Sequence, residues 1–116
     1  MIQVNPYLIR SYPPDYTCVH FVRDVWKDLT GNDIGQYAPG LHGNPELAIR
    51  HGFVRLDKPQ TPCLVWLKGL NESHAGVYVD GRILHLQTGV GAMFQDVSGL
   101  LPFYKELRYY VSPTSD

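Results

Sequence analysis

A cysteine and two histidines in this chain, Cys18, His74 and His85, are spaced as a nucleophile, a base and a group that orients the base. Only a thiolate attacks, and an ordinary thiol with a pKa near 8.5 is a few per cent ionised at neutral pH. A catalytic cysteine therefore needs help from its surroundings. Cys18 opens the run Cys18-Val19-His20-Phe21-Val22-Arg23-Asp24-Val25-Trp26, which reads as the start of a helix. That end of a helix favours an anion by about 0.3–1 kcal/mol, and a neighbouring imidazolium adds more. Its unpaired N–H groups can also hold the oxyanion that forms when an acyl carbon is attacked.

Two elements must position these side chains. The first is a hairpin. Asp80-Gly81 lies between the β-prone runs Ser73-His74-Ala75-Gly76-Val77-Tyr78-Val79 and Arg82-Ile83-Leu84-His85-Leu86-Gln87, the strongest short-range signal for a two-residue type I′ turn. Val79 then opposes Arg82, Tyr78 opposes Ile83, Gly76 opposes His85 and His74 opposes Gln87. Alternation puts His74, Gly76, Tyr78, Ile83, His85 and Gln87 on one face. His74 and His85 become diagonal neighbours, roughly 7–8 Å apart at the backbone and within side-chain reach, with Gly76 leaving room between them. Gln87 shares the face and is a second candidate for the orienting role.

The second element is the helix. Pro13 and Pro14 precede it, Asp15 or Thr17 can cap it, and Gly31 stands just past its end. Cys18, Val22, Val25, Trp26 and Leu29 form one apolar stripe. His20 points to a different side of the helix and reads as structural or substrate-adjacent. Further along, 33–44 is rich in Gly and Pro and reads as a surface loop carrying His42. Asn44 and Pro45 start a short helix that ends at Gly52, with His51 suited to its negative end. Strands are expected over 53–56, 63–68, 73–79, 82–87, 93–97 and 107–111. The expected class is α+β, one helix packed on an antiparallel sheet, in a single domain over residues 1–116.

Composition narrows the function classes. A chain of 116 residues can bury about two-thirds of its unfolded surface, and 44% hydrophobic with 18% charged content is ordinary for a globular domain. A net charge of −1 leaves no electrostatic footprint for nucleic acid or an acidic membrane surface. No secretory signal pattern opens the sequence, and no apolar run approaches the ~20 residues of a membrane span. Two cysteines are too few for a disulfide framework, and Cys63, in an apolar run, reads as an inert core thiol. A zinc site from Cys18, His74 and His85 would use acceptable ligand types but lacks the paired spacing of known zinc motifs, so no metal or other cofactor is expected.

The order of a helix-opening Cys18, then His74-Ala75-Gly76-Val77-Tyr78-Val79, then Arg82-Ile83-Leu84-His85 resembles the NlpC-type papain-like cysteine peptidases. It is most similar to the short phage tail-assembly members of that family. Gly31-Asn32-Asp33-Ile34 with Tyr37, Pro62-Cys63-Leu64-Val65-Trp66-Leu67, the segment 97–101 and Arg108-Tyr109-Tyr110 extend the likeness over nearly the whole chain. The flanks depart from the family pattern, since Thr17 stands where Asp is common and Val19-His20 follow the cysteine. The resemblance implies a papain-like fold with a catalytic N-terminal helix on a central antiparallel sheet. It implies a peptidase that cuts stem peptides of bacterial cell walls with Cys18, His74 and His85. It matches Tyr7, ahead of Tyr12, to a tyrosine of the family's oxyanion site. The implied partners are the peptidoglycan stem peptide and other phage tail-tip proteins, and the implied location is the host cytoplasm during assembly and then the virion tail. A tail-tip subunit that keeps the fold without the activity is the alternative.

Overall fold

In a computed structural model, described over residues 2–35 and 45–112, Asp80 and Gly81 make the tight turn they favour, with φ of 49° and 91°. The strands on either side are β3 (Ser73–Val79) and β4 (Arg82–Gln87), paired Val79↔Arg82, Tyr78↔Ile83 and Val77↔Leu84 as the two-residue turn requires. Before them come α1 (Asn5–Ile9), α2 (Cys18–Thr30), α3 (Pro45–Arg50), β1 (Val54–Leu56) and β2 (Cys63–Lys68). After them come β5 (Gly91–Asp96), α4 (Val97–Leu100) and β6 (Glu106–Val111). The six strands form one antiparallel sheet in the order β1-β6-β2-β3-β4-β5, so the class is α+β.

The pairing fixes which side chains share a face. Leu64, Trp66, Ala75, Val77, Leu84, Leu86 and Tyr110 look one way and pack with Phe21, Val22, Val25 and Trp26 of α2. Val65, Leu67 and Ile83 look the other way and are covered by Leu100 of α4 and by Tyr104. Each of the buried Val, Leu and Ile side chains contributes about 1.5–3 kcal/mol by leaving water. Trp26 and Trp66 are both core residues, as their types suggest. His74, paired with Leu67, and His85, two residues from Ile83, belong to the second face, across the sheet from the body of α2.

Some local expectations are corrected. Thr17, not Asp15, caps α2, because its extended backbone (φ −104°, ψ 172°) turns its hydroxyl toward the first turn. Gly31 closes the helix at φ 79°, as expected. The third helix ends at Arg50, and Gly52 follows it in the left-handed region, where the N–H of Phe53 reaches back to the carbonyl of Ala48 at 3.0 Å. Strand β5 starts two residues earlier than expected and hands over to α4 at Val97. The short helices α1 and α4 have no counterpart in the sequence reading. The Asn44 cap, His42, Tyr37 and most of the 33–44 loop lie outside the described residues.

Candidate active site

Cys18 is the first residue of α2 and 7% exposed. The turn that presents it is closed by a reciprocal pair. The N–H of His20 reaches the Thr17 hydroxyl at 3.5 Å, and Nδ1 of His20 accepts the N–H of Thr17 at 3.1 Å. This is a capping box with histidine in the place usually held by Glu or Gln. The His20 ring also stacks on Tyr16 at 5.4 Å, so its part is structural. Around the sulfur, burial pushes the Cys18 thiol above its ordinary value. Backbone hydrogen bonds from Ala75, Cys18 and Val19 pull it down, and the charge of Glu72 adds to the upward push.

The helix lies on one face of the sheet and the histidines on the other, so the sheet itself must open for Cys18 to meet them. It opens at the far end of the hairpin. The β3–β4 ladder runs from the turn to Val77↔Leu84, and beyond it Ser73 and His74 stand across a cavity of about 380 Å³ from Leu86 and Gln87. Thr17 and Cys18 enter this cavity from the start of α2, and Glu72 lines it from the loop before β3. Cys18 and His74 thus share one cleft. Gly76 makes the close approach next to it possible. A Cβ there would stand 2.7 Å from Ile83 Cγ2 and 3.2 Å from His85 Cβ.

Within the cleft wall, His74 Nε2 lies 3.0 Å from His85 Nδ1, and His85 Nε2 lies 2.6 Å from Gln95 Oε1. With the Gln95 amide oxygen facing the ring, His85 must donate from Nε2. A neutral His85 then accepts at Nδ1, and His74 must donate from its own Nε2. The proton on His74 is thereby assigned to Nε2 and its lone pair to Nδ1, the form a base needs. His85 is 3% exposed, and burial holds it below the ordinary imidazole value, against the upward pull of its bond to Gln95. On its other side the His74 ring lies nearly parallel to Tyr104, 6.1 Å between centroids at 13°. Burial raises the Tyr104 phenol, with further upward pushes from Glu72 and from Cys18.

The structure therefore lines one cleft with Cys18 and His74, sets His85 in hydrogen-bond contact with His74, and leaves Tyr7 out of that cleft. Tyr7 is buried in the core, edge-on to Phe21, and its hydroxyl donates to Asp28 at 2.9 Å. Burial and that bond push its phenol up to about 12. Gln87 lines the cleft and is exposed, but the amide that holds His85 is Gln95. Gln95 was within reach of sequence reasoning. It sits on β5, paired with Ile83, which puts it on the face of His85 one step along the diagonal. Tyr104 gave no such signal, because a connection after α4 carries it back over β3.

Cys63 is fully buried, and burial pushes its thiol up to about 11, as suits an inert core position. Among the described residues no group of three His, Cys, Asp or Glu side chains is arranged to hold a metal ion. The facing nitrogens of His74 and His85 are occupied with each other. No helix among the described residues is long and apolar enough to cross a membrane. Comparison of the chain with protein-family models, with curated proteins and with solved structures finds no match.

Proposed function

We propose that the protein is a cysteine hydrolase acting on amide bonds. The observation that carries this reading is the linked pair of hydrogen bonds from His74 through His85 to Gln95, in a cleft that also holds Cys18. In the reaction, Nδ1 of His74 takes the thiol proton as sulfur bonds to the carbonyl carbon. The carbonyl electrons move to oxygen, which the N–H groups at the start of α2 stabilise. His74 then gives its proton to the leaving amine as the carbon–nitrogen bond breaks. A water that loses its proton to His74 cleaves the thioester and restores the thiol. His85 holds His74 in place throughout by accepting its Nε2–H.

The substrate class comes from the resemblance to NlpC-type peptidases, an antiparallel papain-like fold included: the bond cut is in a cell-wall stem peptide, and the enzyme is carried on a phage tail. A second reading, a silent tail-tip subunit of the same fold, is favoured by one observation. Cys18 is nearly buried and its thiol is pushed up rather than down. The deciding experiment is the rate of iodoacetamide modification of Cys18 between about pH 5 and 9, with Cys63→Ser removing the second thiol. The hydrolase reading expects fast modification well below about pH 8 that slows in His74→Ala. A rate that follows an ordinary thiol and ignores His74→Ala would overturn it in favour of the silent subunit. Release of soluble peptides from purified cell walls then tests the substrate class.

A further inference from the structure

The His74 ring meets His85 edge-on at 87° through its Nε2, and one of its faces lies nearly parallel to Tyr104. By themselves, a tether at Cβ and a bond at Nε2 leave an imidazole able to turn about the line joining those two points. Such turning keeps the bond to His85 but carries Nδ1 into or out of the cleft. A flat ring against one face opposes it. Tyr104 offers that ring, 6.1 Å away between centroids and tilted by 13°, within the range of offset-stacked aromatic pairs.

Tyr104 is itself anchored on several sides. Its N–H donates to the Leu100 carbonyl at the end of α4 at 3.1 Å, and the N–H of Lys105 donates to the Lys68 carbonyl at the end of β2 at 2.7 Å. The ring packs on the cluster of Val65, Leu67, Ile83 and Leu100. Its edge rests on Gly69, where a Cβ would stand 3.7 and 3.8 Å from Cδ1 and Cε1 of the ring and 2.8 Å from the carbonyl oxygen of Glu72. That same carbonyl accepts the Gly69 N–H at 2.8 Å, so the bare backbone of Gly69 makes room at once for the turn into β3 and for the ring. The Tyr104 hydroxyl makes no hydrogen bond among the described residues. Burial, then the charges of Glu72 and Cys18, raise its phenol, which stays neutral across the working pH range. What Tyr104 presents to His74 is a fixed, uncharged ring face.

We propose that Tyr104 is a positioning residue of the cleft, whose ring holds the His74 imidazole from one face so that Nδ1 stays toward Cys18. That this hold serves Cys18 rests on the hydrolase reading; the hold itself does not. The test uses the whole chain with Cys63→Ser and two readouts. One is the order parameter of the His74 Cε1–H bond from NMR relaxation, the signal being identified by its absence in His74→Ala. The other is the iodoacetamide rate at Cys18 near neutral pH. Tyr104→Leu is expected to lower the order parameter and to slow modification about two- to tenfold, the worth of one aromatic pair. Tyr104→Phe keeps the ring face and should change neither. Tyr104→Met, also without a ring, repeats the test if the Leu chain does not fold. In His74→Ala the same replacement should leave the Cys18 rate where it was, because the effect passes through His74. The proposal is overturned if the order parameter ignores Tyr104→Leu, if Tyr104→Phe loses as much as Tyr104→Leu, or if the slowing persists in His74→Ala. A lowered order parameter with a Cys18 rate indifferent to His74→Ala would sink the hydrolase reading and leave the hold on His74 standing. A rate that depends on His74 but not on Tyr104 would sink this proposal alone.

Discussion

Two hydrogen bonds decide which nitrogen of His74 carries the proton, and the second of them belongs to Gln95. Without an acceptor at Gln95, His85 can carry its proton on Nδ1 and turn a donor toward His74, whose Nε2–H then has nowhere to go. Gln95→Leu is therefore expected to slow iodoacetamide modification of Cys18 near neutral pH by up to about tenfold, the effect of losing one neutral hydrogen bond. Gln95→Glu keeps an acceptor, but its carboxylate favours a charged His85, so it should regain the wild-type rate only as the pH rises and the ring gives up that proton. Losses that stay equal in both variants as the pH rises, read as second-order rate constants, would mean that position 95 serves packing alone. Cys18, His74 and His85 were legible in the sequence because each is placed by a local rule, a helix start or a two-residue turn. Gln95 and Tyr104 were not singled out, because strand register between β4 and β5 and the path of the chain after α4 place them. Tyr7 shows the converse, since a tyrosine at a suggestive spacing is claimed by Asp28 and the core.

The elements that carry the site differ in how they are held. The β3–β4 hairpin was readable down to its pairing, since a turn with two positive φ angles allows one register. Its parting beyond Val77↔Leu84 was not, because the turn predicts a ladder that continues to His74 and Gln87. Tertiary packing of the α2 terminus against β3 and β4 accompanies the gap, and no local signal encodes that. Helices α1 and α4 span five and four residues, too short to form on propensity alone, so packing rather than pattern makes them helical. Helix α2 spans 13 residues and has its own start signal in Thr17 and His20. His20→Ala and Thr17→Ala should each lower stability in urea unfolding by about 1 kcal/mol. His20→Gln, whose amide can still accept the Thr17 N–H, should lose much less. If His20→Gln and His20→Ala lose equally, stacking on Tyr16 rather than capping is what His20 supplies.

At the scale of the whole molecule, the sheet stabilises the fold and keeps the candidate base in its working form through one buried ring. His85 is enclosed by the sheet and its cover, and burial holds its imidazole below the ordinary value of 6.5. The unfolded chain therefore takes up a proton at this residue at a higher pH than the folded chain does. Where the unfolded state binds more protons, stability rises with pH. The contribution of His85 is accordingly complete above about pH 6.5 and falls as the pH drops toward the folded value, by at most about 1.4 kcal/mol per pH unit, after which it levels off. Urea midpoints measured from neutral pH downward should show this slope, and His85→Gln, which cannot titrate, should flatten it whatever its own cost. Protonation has a second consequence at the same atom. A charged His85 donates from Nδ1 as well as Nε2, so it can no longer accept the Nε2–H of His74. Loss of Cys18 reactivity should therefore set in at the lower pH where the stability loss levels off, since both mark protonation of His85 in the folded chain. If His85→Gln flattens the first without the second, the ring acts on the cleft and not on the fold.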